Sequence, residues 1–187
     1  MIPAKKFYMI RHGQSIANEG QYFSGNLDVP LTDLGRAQAD NARQIVEALN
    51  DKPDYIIHSH LQRARITAEI INTNLKLPIS ETALIGEHHF GDWEKQPWGD
   101  IRTAFHAGEN PPNGETHDDF MKRIQSALDF ALNHSDGTPL IACHGGVFRA
   151  FNRLHAQPDK TTKNCVLYKF TPDPASTDFP WVVEEIS

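Results

Sequence analysis

Phe7-Tyr8-Met9-Ile10-Arg11-His12-Gly13-Gln14-Ser15 is the stretch on which the reading of this chain turns. An apolar strand ends there in a cation, an imidazole and a glycine. Phosphate chemistry on a histidine needs that combination: a rigid base, a turn permitting close backbone approach, and donors for the anion. His12 is therefore a candidate nucleophile. A triplet of this kind carries little weight alone, because short motifs recur by chance.

Partners in a fixed order along the chain give it weight. Ser59-His60-Leu61-Gln62-Arg63-Ala64-Arg65 follows the strand-like Asp54-Tyr55-Ile56-Ile57 and opens a helix. Glu87-His88-His89-Phe90-Gly91-Asp92-Trp93-Glu94 comes next, and His144-Gly145-Gly146 follows Pro139-Leu140-Ile141-Ala142-Cys143. Most of these motifs begin where an apolar strand stops, and open α/β sheets bind ligands in the crevice beyond the carboxyl ends of their strands. The motifs are expected to converge on one pocket. Either Arg63 or Arg65 can face it, and Glu87 competes with Asp92 and Glu94 as a carboxyl acid.

On these residues the chain resembles the histidine phosphatase superfamily, in its phosphoglycerate-mutase-like branch. The likeness extends to Asn18, Phe23-Ser24-Gly25, Leu31-Thr32-Asp33-Leu34-Gly35 with Gln38, and Pro112-Asn113-Gly114-Glu115-Thr116. It departs at Lys95, where the family commonly carries glycine. The resemblance implies His12 as the phosphorylated nucleophile, Arg11, Arg63 and His144 as the phosphate pocket, and Glu87 as the proton donor. Gln14, Asn18, Ser24 and Gly25 are the expected substrate-binding residues; as turn formers they also have a purely architectural reading.

Bulk properties agree. A chain of 187 residues, 39% of them hydrophobic, suits one domain over 1–187 with a substantial core. The net charge of -6 gives no basic footprint for nucleic acid, so an anion site must be a local cluster of arginine and histidine on an acidic body. Cys143 and Cys165 lie in apolar surroundings and read as buried thiols rather than a disulfide. The apolar run ending at Arg11 is too short for a signal peptide or membrane helix. A cytoplasmic enzyme without a membrane partner is expected, with no prediction of oligomeric state.

Strands are predicted near Phe7 to Ile10, Tyr55 to Ile57, Ile79 to Leu84, Leu140 to Cys143, Cys165 to Phe170 and Trp181 to Ile186. Thr32 is predicted to cap a helix carrying Leu34, Ala37, Ile45 and Leu49. Ala64, Ala68 and Ile71 mark a second helix, bounded by Pro78, and Thr116 with Asp119 starts a third, striped by Phe120, Ile124, Leu128 and Leu132. A fourth starts at Gly145. The stretch from about 87 to 114, rich in Gly, Pro and aromatic residues, reads as a small lid-like insertion in which Phe90, Trp93 and Trp98 pack or clamp a substrate. The pattern predicts an α/β three-layer sandwich: a mostly parallel central sheet with helices on both faces.

The expected reaction is hydrolysis of a small phosphate ester through a phosphohistidine. Phosphoryl transfer needs an in-line nucleophile, charge compensation on the equatorial oxygens and a proton for the leaving oxygen. Arginines supply forked donors, so neither a metal nor another cofactor is required. Four other readings compete. A mutase would return the phosphoryl group to a second hydroxyl, and a non-catalytic phosphate-binding or adaptor protein would use the same anion pocket. Cys143, five residues and Arg149 have the spacing of thiolate phosphatases. His58, His60, His88 and His89 invite a zinc reading, weakened by the absence of a nearby carboxylate pattern.

Overall fold

A computed structural model describes residues 2–158, 161–176 and 178–186. Its strands are β1 (Phe7–Arg11), β2 (Tyr55–Ser59), β3 (Ile79–Thr82), β4 (Pro139–Cys143), β5 (Leu167–Pro172) and β6 (Trp181–Ile186). They form one sheet in the order β3-β2-β4-β1-β5-β6, parallel through β1 and antiparallel at β5 and β6. The helices are α1 (Ile16–Glu19), α2 (Asp33–Ala48), α3 (Gln62–Ile71), α4 (Gly99–His106), α5 (His117–Asn133) and α6 (Gly145–Leu154).

The central strands are apolar in succession because both their faces are covered. Phe7, Met9, Ile57, Ile141 and Cys143 point to the side packed by Ile124, Leu128 and Leu132 of α5 and Val147 and Phe151 of α6. Tyr8, Ile10, Ile56, Leu140 and Ala142 point to the opposite side, against Ala39, Ala42 and Val46 of α2 and Ala68 and Ile71 of α3. The result is the three-layer arrangement with helices on both faces. Among the described residues no helix is long and apolar enough to cross a membrane.

Several boundaries differ from the sequence expectation. The third strand stops at Thr82, and Ala83–Ile85 winds into a 3-10 turn because the Thr82 side chain accepts the Leu84 N–H. The fifth begins at Leu167 rather than Cys165, whose positive φ of 54° takes it out of extended geometry. Thr32 does cap α2, accepting from the Gly35 N–H, but Leu34 is exposed: the buried stripe is made of Gly35, Ala39, Ala42 and Val46, small residues that bring α2 close to the sheet.

The chain leaves adjacent β1 and β4 in opposite directions, β1 toward α2 on one face and β4 toward α6 on the other. That divergence opens a crevice beyond their carboxyl ends. Arg11 is the last residue of β1, and His144 immediately follows β4.

Candidate active site

His12 directly follows β1, its backbone N–H donating to Cys143 O at 3.0 Å, so the neighbouring strand fixes its position; like Arg63 and His144 it is buried and is not among the residues that line the cavity. Gly13 and Gly35 let the β1 loop press against the start of α2: a Cβ on Gly13 would lie 2.2 Å from the Gly35 carbonyl oxygen. No side chain fits there. The Gly13 N–H donates to Thr67 Oγ1 at 3.1 Å, and that hydroxyl donates to Arg63 O at 2.7 Å, linking β1 to α3.

The His12 ring is buried, and its Nδ1 lies 2.7 Å from the Gly13 carbonyl oxygen. A carbonyl only accepts, so the proton sits on Nδ1 and Nε2 keeps its lone pair. Burial, followed by the charges of Arg63 and Arg11, holds the imidazole well below its ordinary range, leaving it neutral.

His144 is fully buried, its ring centroid 5.2 Å from that of His12. Its Nε2 meets Ser59 Oγ at 2.8 Å, and the same oxygen accepts the Leu61 N–H at 3.2 Å. Where the Ser59 hydroxyl donates to Nε2, the His144 proton lies on Nδ1. Burial, then Arg63, hold this imidazole well below its usual range too.

Arg63 is 1% exposed. One of its amino groups donates to Leu27 O and the other to Gly25 O, each at 2.8 Å, so the 25–27 loop closes over it. Burial lowers its pKa to about 10, which leaves it charged at neutral pH. Arg11 donates through Nη1 to Thr162 O at 2.6 Å. Three buried nitrogens of this cluster, Arg11 Nε, Arg63 Nε and His144 Nδ1, have no hydrogen-bond partner among the described residues. Orphaned buried donors are rare in folded proteins, and grouped at a histidine they fit an anion-binding role.

Glu87 follows the 3-10 turn that succeeds β3. Its carboxylate accepts the His88 N–H at 2.9 Å through Oε1 and the Gly146 N–H at 3.2 Å through Oε2. Both Arg11 and Arg63 feel its charge. It lines a cavity of about 510 Å³ together with Arg11, Gln14, Asn18, Ser24 and Gly25. Asn18 Oδ1 accepts the Ser15 N–H at 3.1 Å, closing a capping box on α1, and Gln14 Oε1 accepts the Thr32 hydroxyl at 2.9 Å. These two residues shape the loop as well as facing the cavity. Trp98 is on the cavity wall, Phe90 packs with Phe23 and Phe105, and Trp93 lies against that cluster.

Sequence reasoning missed five contributors. Ser59 and Thr67 orient the imidazole and the β1 loop. Asn164 donates to His12 O at 2.7 Å from a loop distant in sequence, with no local signal to reveal it. Arg102 and Arg149 also line the cavity and add positive charge, Arg102 lying over the Trp98 ring and Arg149 over Phe105.

Two competing readings fail on geometry. Cys143 is wholly buried on the α5 and α6 side of the sheet, and burial pushes its thiol far up, so no thiolate is presented to a ligand. Cys165 belongs to the cluster on the opposite face. Among the described residues no three His, Cys, Asp or Glu side chains come together as metal ligands, and two histidines of the zinc reading commit a ring nitrogen to a backbone carbonyl: His58 Nδ1 donates to Ser59 O, and His88 Nε2 donates to Glu115 O.

A family model described as histidine phosphatase superfamily (branch 1) matches residues 7–176. The glucosyl-3-phosphoglycerate phosphatase of Mycolicibacterium vanbaalenii is 28% identical over 78% of this chain and 72% of its own. A 2,3-bisphosphoglycerate-dependent phosphoglycerate mutase of Bifidobacterium longum is 26% identical over 80% of this chain and 76% of its own. The crystal structure of the alpha-ribazole phosphatase from Shigella flexneri shares the fold, with a TM-score of 0.81, 23% identity, and coverage of 97% of this chain and 95% of that one.

Proposed function

The chain belongs to the histidine phosphatase superfamily, branch 1, and on that premise we propose that it is a phosphomonoesterase that hydrolyses a small phosphorylated metabolite through a phosphohistidine. The observation that carries the reading is the set of orphaned buried donors, Arg11 Nε, Arg63 Nε and His144 Nδ1, around a neutral histidine with its proton locked on Nδ1.

In the first step His12 Nε2 attacks phosphorus, the P–O ester bond breaks, and Glu87 gives a proton to the departing oxygen. Arg11, Arg63 and His144 hold the equatorial oxygens, where preorganised donors act most strongly on developing charge. In the second, Glu87 takes a proton from water, the oxygen attacks phosphorus, and the P–N bond breaks to release inorganic phosphate. The guanidinium groups supply the cationic charge, and this scheme routes no step through a metal or cofactor.

Hydrolysis is favoured over mutase chemistry by the short segment between Glu87 and Gly114, whose longest element is the eight-residue α4. A mutase must retain the alcohol while the phosphohistidine persists, which calls for a more extensive enclosure. The cavity of about 510 Å³ suits a metabolite rather than a polymer.

The deciding experiment is turnover of a panel of small phosphomonoesters by the intact chain and by Glu87→Gln, with mutase activity on 3-phosphoglycerate assayed alongside. An alkyl ester needs protonation of its leaving oxygen, whereas a nitrophenolate leaves unaided. Glu87→Gln should slow an alkyl phosphate by about 100-fold or more and p-nitrophenyl phosphate far less. Phosphoglycerate isomerisation outrunning hydrolysis would replace the reading with a mutase, and absence of turnover on every ester would favour a binding protein.

A further inference from the structure

Arg123, on α5, is not among the residues that line the cavity, yet its side chain is fully committed to the segment that carries Glu87. Nε donates to Glu115 Oε1 at 2.8 Å and Nη2 to Glu115 Oε2 at 2.7 Å, a bidentate pair. Nη1 also donates to Leu84 O at 2.9 Å and Gly86 O at 3.0 Å, and Nη2 to Glu87 O at 3.1 Å. A guanidinium has five N–H groups, and these bonds account for all of them. The Phe120 ring lies 5.0 Å from its central carbon, on the neighbouring turn of α5.

Glu115 ties the same segment again. Its carboxylate accepts the His89 N–H at 3.5 Å, its backbone N–H donates to His89 O at 2.9 Å, and its carbonyl accepts from His88 Nε2 at 2.7 Å. The backbone from Leu84 to His89 is thus held along one side by two side chains. The Glu87 carboxylate itself accepts the Gly146 N–H at the start of α6.

We propose that Arg123, supported by Glu115, is a positioning residue for proton donation: it holds the carbonyls of Leu84, Gly86 and Glu87 so that the Glu87 carboxyl stands at the leaving oxygen. A misplacement of about 1 Å in a reacting group can cost about 100-fold in rate, which gives such a clamp a kinetic consequence. Lysine cannot replace it, because a single ammonium has three donors and cannot span a carboxylate and three carbonyls at once. With no N–H to spare, Arg123 acts through Glu87 and not on substrate. The inference rests on Glu87 being the proton donor.

The test is Arg123→Lys in the full chain, with Glu115→Gln as a second variant that keeps the guanidinium and its carbonyl bonds. Turnover of glycerol phosphate and of p-nitrophenyl phosphate is measured beside Glu87→Gln, together with thermal unfolding and the Gly146 amide resonance. The expected result is a selective loss: glycerol phosphate slowed about 10-fold or more, p-nitrophenyl phosphate within a few-fold, and the Gly146 amide displaced in the direction seen in Glu87→Gln. Glu115→Gln should shift the same readouts less. An equal slowing of both substrates, or unchanged turnover of both, in whichever variant folds would overturn the proposal. If Glu87→Gln is itself unselective, the proton-donor assignment fails first and the positioning role falls with it; a selective Glu87→Gln beside an unselective Arg123→Lys refutes the positioning role alone.

Discussion

The Nδ1 atom of His12 lies 2.7 Å from the carbonyl oxygen of Gly13, the residue that follows it, so the chain itself selects the tautomer that leaves the Nε2 lone pair free. Burial and the neighbouring arginines then keep the ring uncharged.

The first prediction concerns pH. His12 and His144 bind protons less readily folded than unfolded, so between their depressed folded values and the unfolded value of about 6.5 the unfolded chain holds more protons. Their contribution to stability is present above about pH 6.5 and is lost as the pH falls below it. In ring ¹⁵N spectra both imidazoles should remain neutral from pH 7.5 to 5.5, His12 as the Nδ1–H tautomer. Protonation of His12 near pH 6.5 would contradict the burial argument.

His12→Ala should abolish phosphomonoesterase activity, while Cys143→Ser should keep most of it. The serine hydroxyl would enter a closed apolar site and destabilise the fold by about 1–3 kcal/mol without touching the chemistry. Trapped enzyme should carry acid-labile, base-stable phosphate, and a label that behaves as a thiol ester would sink the histidine mechanism.

The two glycines that open α6 should respond differently. A Cβ on Gly146 would lie 2.0 Å from Glu87 Oε1, whereas one on Gly145 would lie 3.5 Å from Arg11 Nε, an ordinary contact. Gly146→Ala should therefore displace the carboxylate and slow an alkyl phosphate by about 10-fold or more, with Gly145→Ala affected far less. Similar kinetics for the two variants would show that Glu87 adjusts freely.

Arg63→Lys should lower turnover by about 100-fold to 1000-fold, the range for losing a preorganised donor, and should also loosen the 25–27 loop that Arg63 holds through Gly25 O and Leu27 O. Limited proteolysis within that loop checks the second effect independently of catalysis. Retained turnover would remove Arg63 from the phosphate pocket.

Lys95 has a φ of 67°, in the left-handed region, which gives a physical sense to the glycine common at that place in the family. Lys95→Gly should raise stability by about 0.5–1 kcal/mol, the relief of side-chain strain exceeding the added chain entropy of glycine. A lowered Tm would show that the lysine side chain makes a compensating contact.

Much of the architecture was legible in the chain because its strands are short apolar runs that stop at chemically distinctive residues. The strands read at Phe7 to Ile10, Tyr55 to Ile57 and Leu140 to Cys143 lie within two residues of the observed ends and were placed with their helices, since core faces and caps such as Thr32 and Thr116 are local signals. Local patterning failed at strand ends, where Thr82 and Cys165 are set by a side-chain cap and a left-handed backbone, and at Leu34, whose apolar character did not bury it.

The motifs read along the chain limit which groups are on offer: an imidazole, forked cations, a carboxyl group and the strand ends that carry them. Their proton locations and charges are set by packing, because both depend on partners remote in the chain. Ser59 reaches His144, Asn164 reaches the His12 carbonyl, and Arg123 reaches the Glu87 segment from another helix. Cys143 shows the same division, since its spacing to Arg149 fits a thiolate phosphatase, and burial beneath α5 and α6 excludes it. Spacing along a chain specifies which groups are available, while hydrogen bonding and desolvation, which arise only on packing, set which of them are reactive.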